Sequence, residues 1–154
     1  MLETYRPHVE ASAVSFECEV PSLDAFGARV SKALADWQWL VAERDGQVLG
    51  YAYGSMHRDR PAYRWSVEVS AYVSAEHHHR GIGRSLYLQL FHDLATIGYC
   101  NPYAGVTLPY AASVCLHQAV GFVPIGVFTS VGHKFGKWHD VAWFQRSLRD
   151  SPPE

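Results

Sequence analysis

Residues 72–90 read YVSAEHHHRGIGRSLYLQL, passing from an alternating apolar pattern into a helical one through a single glycine turn. That turn constrains the chain more than any other stretch. A strand that breaks at Arg80-Gly81-Ile82-Gly83 and restarts as a helix leaves backbone N–H groups without partners at the positive end of a helix dipole. Glycine has no Cβ, so a ligand can approach this backbone closely. A pyrophosphate suits the arrangement, and Arg80 and Arg84 add charge to it. An ordinary structural turn is the alternative, and a Gly-x-Gly pair alone does not decide between them. Two nucleotide motifs are excluded: no third glycine follows for a dinucleotide fingerprint, and the Gly-Lys-Ser/Thr of a Walker loop is absent.

The flanking patterns set the architecture. WSVEVSAYV alternates, with Trp65, Val67, Val69, Ala71 and Val73 on one face and Ser66, Glu68, Ser70 and Tyr72 on the other. Beyond the turn, Ile82, Leu86, Leu90, Leu94 and Ile97 form one stripe of a helix that stops at Gly98. Upstream, SLDAFGARVSKAL offers Ser22 as an N-cap, with Leu23, Phe26, Val30 and Leu34 at helical spacing. WLVAE and QVLGYAYGSM flank Arg44-Asp45-Gly46, a hairpin signal. Downstream, YAGVTL reads as a short strand and AASVCLHQAV as a short helix ended by Gly121. FVPIGVF and DVAWFQRSL then read as a last strand pair, joined by a long turn through GHKFGKWH. Helix, strands, helix, strand, helix, strands describes a mixed α/β domain around one sheet. One domain over residues 1–150, with a frayed tail at 151–154, accounts for the length.

Composition removes several classes. Apolar residues make up 48% and charged ones 18%, which argues against long disorder. A formal charge of -2 provides no basic field for nucleic acid or anionic lipid. Cys18, Cys100 and Cys115 lack Cys-x-x-Cys spacing, so neither a disulfide framework nor a zinc site is expected. No apolar run reaches the roughly 18 residues of a membrane span, and MLETYRPHVE lacks the apolar core of a secretory signal. A soluble cytoplasmic protein is the expectation. His77, His78 and His79 alternate faces in extended chain and do not converge, so no metal is expected.

Strand, HHHRGIG and helix together resemble the pantetheine- and pyrophosphate-binding motif of the GNAT N-acetyltransferases, Gln/Arg-x-x-Gly-x-Gly/Ala. The similarity extends further. WSVEVSAYVS, GIGRSLYLQL, SVCLHQAVGF and GHKFGKWHDVAWFQ resemble, in the same order and with similar spacing, the phosphinothricin and methionine sulfoximine acetyltransferase branch. The resemblance runs from about Ser15 to Leu148. It implies a GNAT fold: a twisted, mostly antiparallel sheet, splayed at a bulge, with helices on both faces. It also implies acetyl-CoA as co-substrate, a small amine as acceptor, and a homodimer.

Three departures accompany it. The chain starts within what is usually the first helix, so an N-terminal edge strand is absent or supplied by a neighbouring subunit. His78 takes the place usually held by Gln or Arg. LPYAA puts Tyr110 where the family has an asparagine that bonds the pantetheine arm.

The resemblance assigns roles by position. Ala71, Tyr72 and Val73 would meet the cofactor through backbone groups, and His78, His79, Arg80, Gly81, Ile82, Gly83, Arg84, Ser85 and Tyr110 would hold the rest of it. Glu68, mid-strand in an apolar neighbourhood that raises its pKa, would deprotonate the amine; a half-exposed surface carboxylate is the alternative. His117, in LHQAVGF, would assist the departing thiolate. Arg58 and Arg60 would offer guanidinium forks to an acidic group on the acceptor, with Phe16, Tyr63 and Tyr72 as an apolar wall. His139 would border this pocket or serve hairpin packing. Cys115 and His117 lie on different helix faces, so direct attack in a ternary complex is expected rather than an acetyl-cysteine. A non-catalytic acyl-CoA-binding module, or an enzyme for another small amine or a peptide N-terminus, are the competing readings.

Overall fold

Asp45 and Gly46 both hold positive φ, 52° and 77°. That conformation turns a hairpin in two residues without splaying its strands. It joins β1 (Trp39–Arg44) to β2 (Gln47–Met56) in this computed structural model, which describes residues 1–153. Before the hairpin come α1 (Leu2–Glu10) and α2 (Leu23–Asp36). After it come β3 (Ser66–Val73), α3 (Ile82–Thr96), β4 (Asn101–Thr107), α4 (Ala111–Ala119), β5 (Val123–Lys134) and β6 (Lys137–Gln145). The first element among the described residues is α1, and β1 is an edge of the sheet.

The sheet has the order β1-β2-β3-β4-β6-β5, and β3 with β4 is its parallel pair. Everything else in it is antiparallel. The decisive feature is where β3 and β4 stop pairing. Their ladder runs Ser66↔Asn101, Val67↔Pro102 and Glu68↔Tyr103 and goes no further. Beyond Glu68, β3 stays with β2 up to Gly50↔Val73, while β4 stays with β6 up to Thr107↔Val141. The sheet therefore opens into a V whose apex is Glu68. The splay agrees with expectation but its local cause does not. The β2–β3 register runs without interruption, and the irregularities lie at Ala42/Glu43 and along β5. The opening comes from each strand following its antiparallel partner.

Two layers of helix cover the sheet. On one face, Tyr5 of α1 meets Tyr72 edge-on at 5.0 Å, and Phe26 of α2 meets Trp39 at 5.7 Å. On the other, Leu86, Leu90 and Leu94 of α3 are buried, with α4 beside them. Leu90 and Leu94 are fully buried, each contributing about 2 kcal/mol by transfer from water. Leu94→Ala would leave a cavity and cost about 3 kcal/mol.

Three sequence expectations need correction here. Ser22 does cap α2, accepting from the Ala25 N–H at 3.2 Å. However, Leu23 and Leu34 are exposed, and the buried stripe is Phe26 and Ala33, leading to Trp37. The helix carries fewer apolar residues inward than its spacing suggested, because the aromatic rings already fill that layer. Ile97 also lies exposed, at the C-cap of α3 rather than on its buried stripe. The third correction is the final hairpin. No long turn exists there: β5 and β6 extend through GHKFGKWH and meet at Phe135 and Gly136, with φ of 51° and 72°.

Candidate active site

The glycine turn is built as the sequence implies. Gly81 is the N-cap of α3 with φ of 78°, a left-handed conformation that glycine adopts at no steric cost. No side chain caps this helix, and among the described residues the N–H groups of residues 79–84 find no acceptor in the chain. Arg80, Gly81, Arg84 and Ser85 are exposed around them. Gly83 is different: it is buried, and a Cβ there would come within 3.0 Å of Leu116. Its role is to let α3 lie against α4. The three histidines diverge. His77 bonds the Ser74 hydroxyl at 2.7 Å, and His78 donates through Nε2 to the Val73 carbonyl at 2.9 Å. His79 turns the backbone at φ of 61°. Among the described residues no cluster of His, Cys, Asp and Glu has a metal-binding arrangement.

From this turn the V runs back along β3. The Ser74 N–H donates to Leu49 across the β2 side, which sets the phase of the ladder. Alternate residues of an antiparallel strand point their N–H and C=O the same way. Tyr72 and Ser70 therefore turn theirs toward β2, while Val69, Ala71 and Val73 turn theirs into the gap. The gap is lined by Val69–Tyr72 on one side, by Gly105–Thr107 on the other, and by Tyr87, Tyr110, Ser113 and His117 at its wall. Of the three backbone positions assigned from sequence, Ala71 and Val73 present amides to the gap. Tyr72 contributes its side chain.

Glu68 occupies the apex, about one-third exposed. Burial raises its carboxyl above the ordinary carboxylate range, and a hydrogen bond and charge from His57, with a smaller effect of Arg58, partly offset that rise. The His57 Nδ1 lies 3.1 Å from Oε1 of Glu68. Its ring stacks on Tyr103 at 4.4 Å and 12°, and meets Tyr63 edge-on at 5.8 Å. Sequence reasoning missed His57 and named only its neighbours Arg58 and Arg60. Its signal lay in hairpin register: Ser55 pairs Glu68, so a residue just past the end of β2 is a diagonal neighbour of that carboxylate.

On the opposite face His117 is buried, 5% exposed. Its Nδ1–H donates to the Ser113 carbonyl at 2.7 Å, and its Nε2 accepts from the Tyr87 hydroxyl at 3.0 Å. Burial lowers the imidazole pKa, so the ring is neutral. Burial also raises the Tyr87 phenol above its usual value. Tyr87 is the second residue that sequence reasoning missed. It lies one step from Leu86, on the flank of the apolar stripe.

The expected acceptor residues separate into two groups. Arg58 and Tyr63 come to the Glu68–His57 pair. Arg60 is exposed in the same loop. Phe16 and His139 instead pack with each other, their rings 6.1 Å apart, and Phe16 lies over Gly132. His139 is buried, its Nε2 donating to the Lys134 carbonyl at 3.1 Å, so it braces the hairpin rather than bordering a pocket. Lys134 itself holds the N-terminal segment, donating to the carbonyls of Val9, Ser12 and Ser15 at 2.6–2.9 Å. A cleft lined in part by Tyr53, Ser55 and Met56 of β2 and by Arg29 and Lys32 of α2 was not foreseen.

Comparison with known proteins agrees with this geometry. Residues 1–143 match the family model of the acetyltransferase (GNAT) domain. The chain is 35% identical over 147 residues to the phosphinothricin N-acetyltransferase of Streptomyces viridochromogenes, covering 95% of this chain and 80% of that protein. It is 44% identical over 147 residues to the phosphinothricin N-acetyltransferase of Alcaligenes faecalis, covering 94% and 74%. Its fold superposes with a TM-score of 0.94 on the crystal structure of a GNAT superfamily phosphinothricin acetyltransferase from Sinorhizobium meliloti in complex with acetyl-CoA. That protein is 34% identical, with 99% of this chain and 86% of that one covered.

Proposed function

The chain belongs to the GNAT acetyltransferase family, and from that premise we propose that it transfers an acetyl group from acetyl-CoA to the amine of a small amino-acid-like acceptor of the phosphinothricin or methionine sulfoximine type. The observation that carries this reading is the V between β3 and β4: unpaired α3 amides at one end, a half-buried carboxylate at its apex. A diphosphate fits residues 79–84, where donors have no other acceptor. The pantetheine arm fits along the gap-facing groups of Val69, Ala71 and Val73, as a strand completing the ladder that β4 abandons. Acetyl-CoA supplies the activated acyl group.

Each remaining requirement falls to a residue of the chain. An alkyl amine is protonated near neutral pH and must lose a proton before it attacks. Glu68, with its raised pKa, suits that task. The amides facing the gap can polarise the thioester carbonyl as charge builds on its oxygen. For the leaving sulfur the donor is the Tyr87 hydroxyl, whose single proton turns from Nε2 of His117 to the sulfur as the thiolate forms. The imidazole spends its one proton on Ser113, and its Nε2 orients the tyrosine. A phenol whose pKa is raised shares its hydrogen with a thiolate and does not surrender it. Arg58 is placed to meet an acidic group on the acceptor, and Arg60 lies in the same loop.

The reading includes a homodimer working in the cytoplasm. Residues 123–133, VPIGVFTSVGH, contain no charged side chain and form an outer strand. Val123, Ile125, Val127, Phe128 and Val131 are about half exposed there. A second copy would cover them. The three cysteines are unpaired, which suits a reducing compartment. Light scattering of wild type and Val127→Lys tests the dimer.

Thiol release from acetyl-CoA, measured with phosphinothricin, methionine sulfoximine and a peptide amine, tests the function. Turnover with the amino-acid analogues is expected. Turnover with the peptide alone would move the acceptor class, and binding of acetyl-CoA without turnover would leave only a binding module.

A further inference from the structure

We propose that His57 is the positioning residue of the Glu68 base: through its Nδ1–H it aims the carboxylate and keeps it ionised, while Nε2 stands toward solvent. The proposal rests on Glu68 acting as the base. Geometry carries it. Nδ1 of His57 meets Oε1 of Glu68 at 3.1 Å, while the ring is clamped face-to-face by Tyr103 and edge-on by Tyr63. A ring held on two sides has little freedom to leave the carboxylate. Tyr103 is also the β4 residue paired with Glu68, so the clamp and the base belong to the same rung at the apex.

The second nitrogen points the other way. Among the described residues Nε2 of His57 has no partner, and it is absent from the buried unpaired atoms, where Trp143 Nε1 stands alone. Nε2 therefore reaches water. The imidazole thus lies between the carboxylate and solvent with Nδ1–H committed to Oε1, and the proton that Glu68 takes from an amine N–H leaves to water over the carboxyl group's own exposed edge. The amine loses one N–H bond, one proton reaches bulk water, and Glu68 returns to its ionised form.

The groups that face this pair set the direction of its pH dependence. Arg58 brings positive charge from the loop, Tyr63 and Tyr103 bring neutral rings, and Tyr53 of β2 lies on the same face. Arg58 and His57 are the groups that favour the ionised carboxylate, against the burial that disfavours it. Removing His57 leaves burial opposed by Arg58 alone. The carboxyl then titrates at higher pH, and the acidic limb of the rate profile moves up with it.

The test is the pH profile of kcat/KM for the acceptor in wild type, His57→Phe, His57→Gln and Glu68→Gln. His57→Phe keeps the stacking area and removes both nitrogens. Its acidic limb is expected at higher pH, with a loss of about tenfold near neutral pH that shrinks as pH rises. His57→Gln retains an N–H donor and is expected to recover part of the loss. An acidic limb that superimposes on wild type in both variants overturns the proposal, whatever the height of the curves. Should His57→Phe fail to fold, the limb of His57→Gln decides by the same criterion. Full activity in Glu68→Gln would overturn the base assignment itself. An inactive Glu68→Gln beside unmoved His57 limbs would overturn this inference alone.

Discussion

Two hydrogen-bonded pairs stand on opposite faces of β3, Glu68 with His57 and His117 with Tyr87. Each joins a titratable side chain to an aromatic partner, and burial pushes each toward its neutral form, Glu68 upward and His117 downward. They differ in their neighbours. His57 and Arg58 bring charge to the carboxylate and pull it back toward ionisation, and the pair stays open to water. Tyr87 and the Ser113 carbonyl bring only dipoles to a sealed imidazole. Different depths of burial and different neighbours therefore yield one group that can exchange protons with solvent and one that can only orient a donor. Environment, rather than residue type, separates base from support.

The largest effect should fall on the open pair. Glu68→Gln is expected to lower kcat/KM by about 10²–10⁴ while acetyl-CoA binding, followed by calorimetry, persists. A mutant as active as wild type would dissolve the contrast. Tyr87→Phe should cost less, about tenfold in kcat, with acceptor KM little changed. It also strands Nε2 of His117, for a stability loss of about 1–2 kcal/mol in urea denaturation. A rate loss larger than that of Glu68→Gln would reverse the roles of the two pairs.

Stability against pH sharpens the contrast, because the two shifts have opposite signs. The folded imidazole titrates below 6.5, so the stability it contributes is present above that pH and lost as pH falls through its lowered value. His8 is shifted the same way, so the comparison needs the variant. The folded carboxyl titrates above 4.5, so its contribution is present below that pH and lost as pH rises through its raised value. Urea midpoints from pH 4 to 8 should show His117→Gln flattening the acidic decline and Glu68→Gln steepening it. Parallel curves would mean that neither site is shifted as described.

The smallest effect lies outside both pairs. Gly81→Ala meets no atom within 4 Å but must hold φ of 78°, a backbone cost of about 1 kcal/mol. Acetyl-CoA KM should rise two- to fivefold by the same small energy, with acceptor KM unchanged.

How much of this was legible differs by residue. Gly81, Glu68 and His117 were legible because each sits inside a local pattern: a turn between two periodicities, an alternating strand, a helix bounded by glycine. His57 and Tyr87 were not, since nothing adjacent in the chain marks them. His57 matters because Tyr103 comes up beside it through the β3–β4 rung, and Tyr87 because α4 lays Nε2 of His117 on its hydroxyl. Phe16 read as a pocket residue and His139 as either a pocket or a hairpin residue, and the lengthened final hairpin drew the two together. The bulge expected in β3 was the wrong cause for a real opening, since register depends on partners far along the chain.

The order of strands and helices, the anion-ready turn and the face on which Glu68 lies follow from periodicity and backbone sterics, which act over a few residues and can be read locally. Where the sheet opens, which ring clamps the carboxylate and which nitrogen of His117 is occupied were decided only when distant segments met. Hydrogen bonds and ring stacking are made across space, and their energies depend on distances that no local pattern encodes.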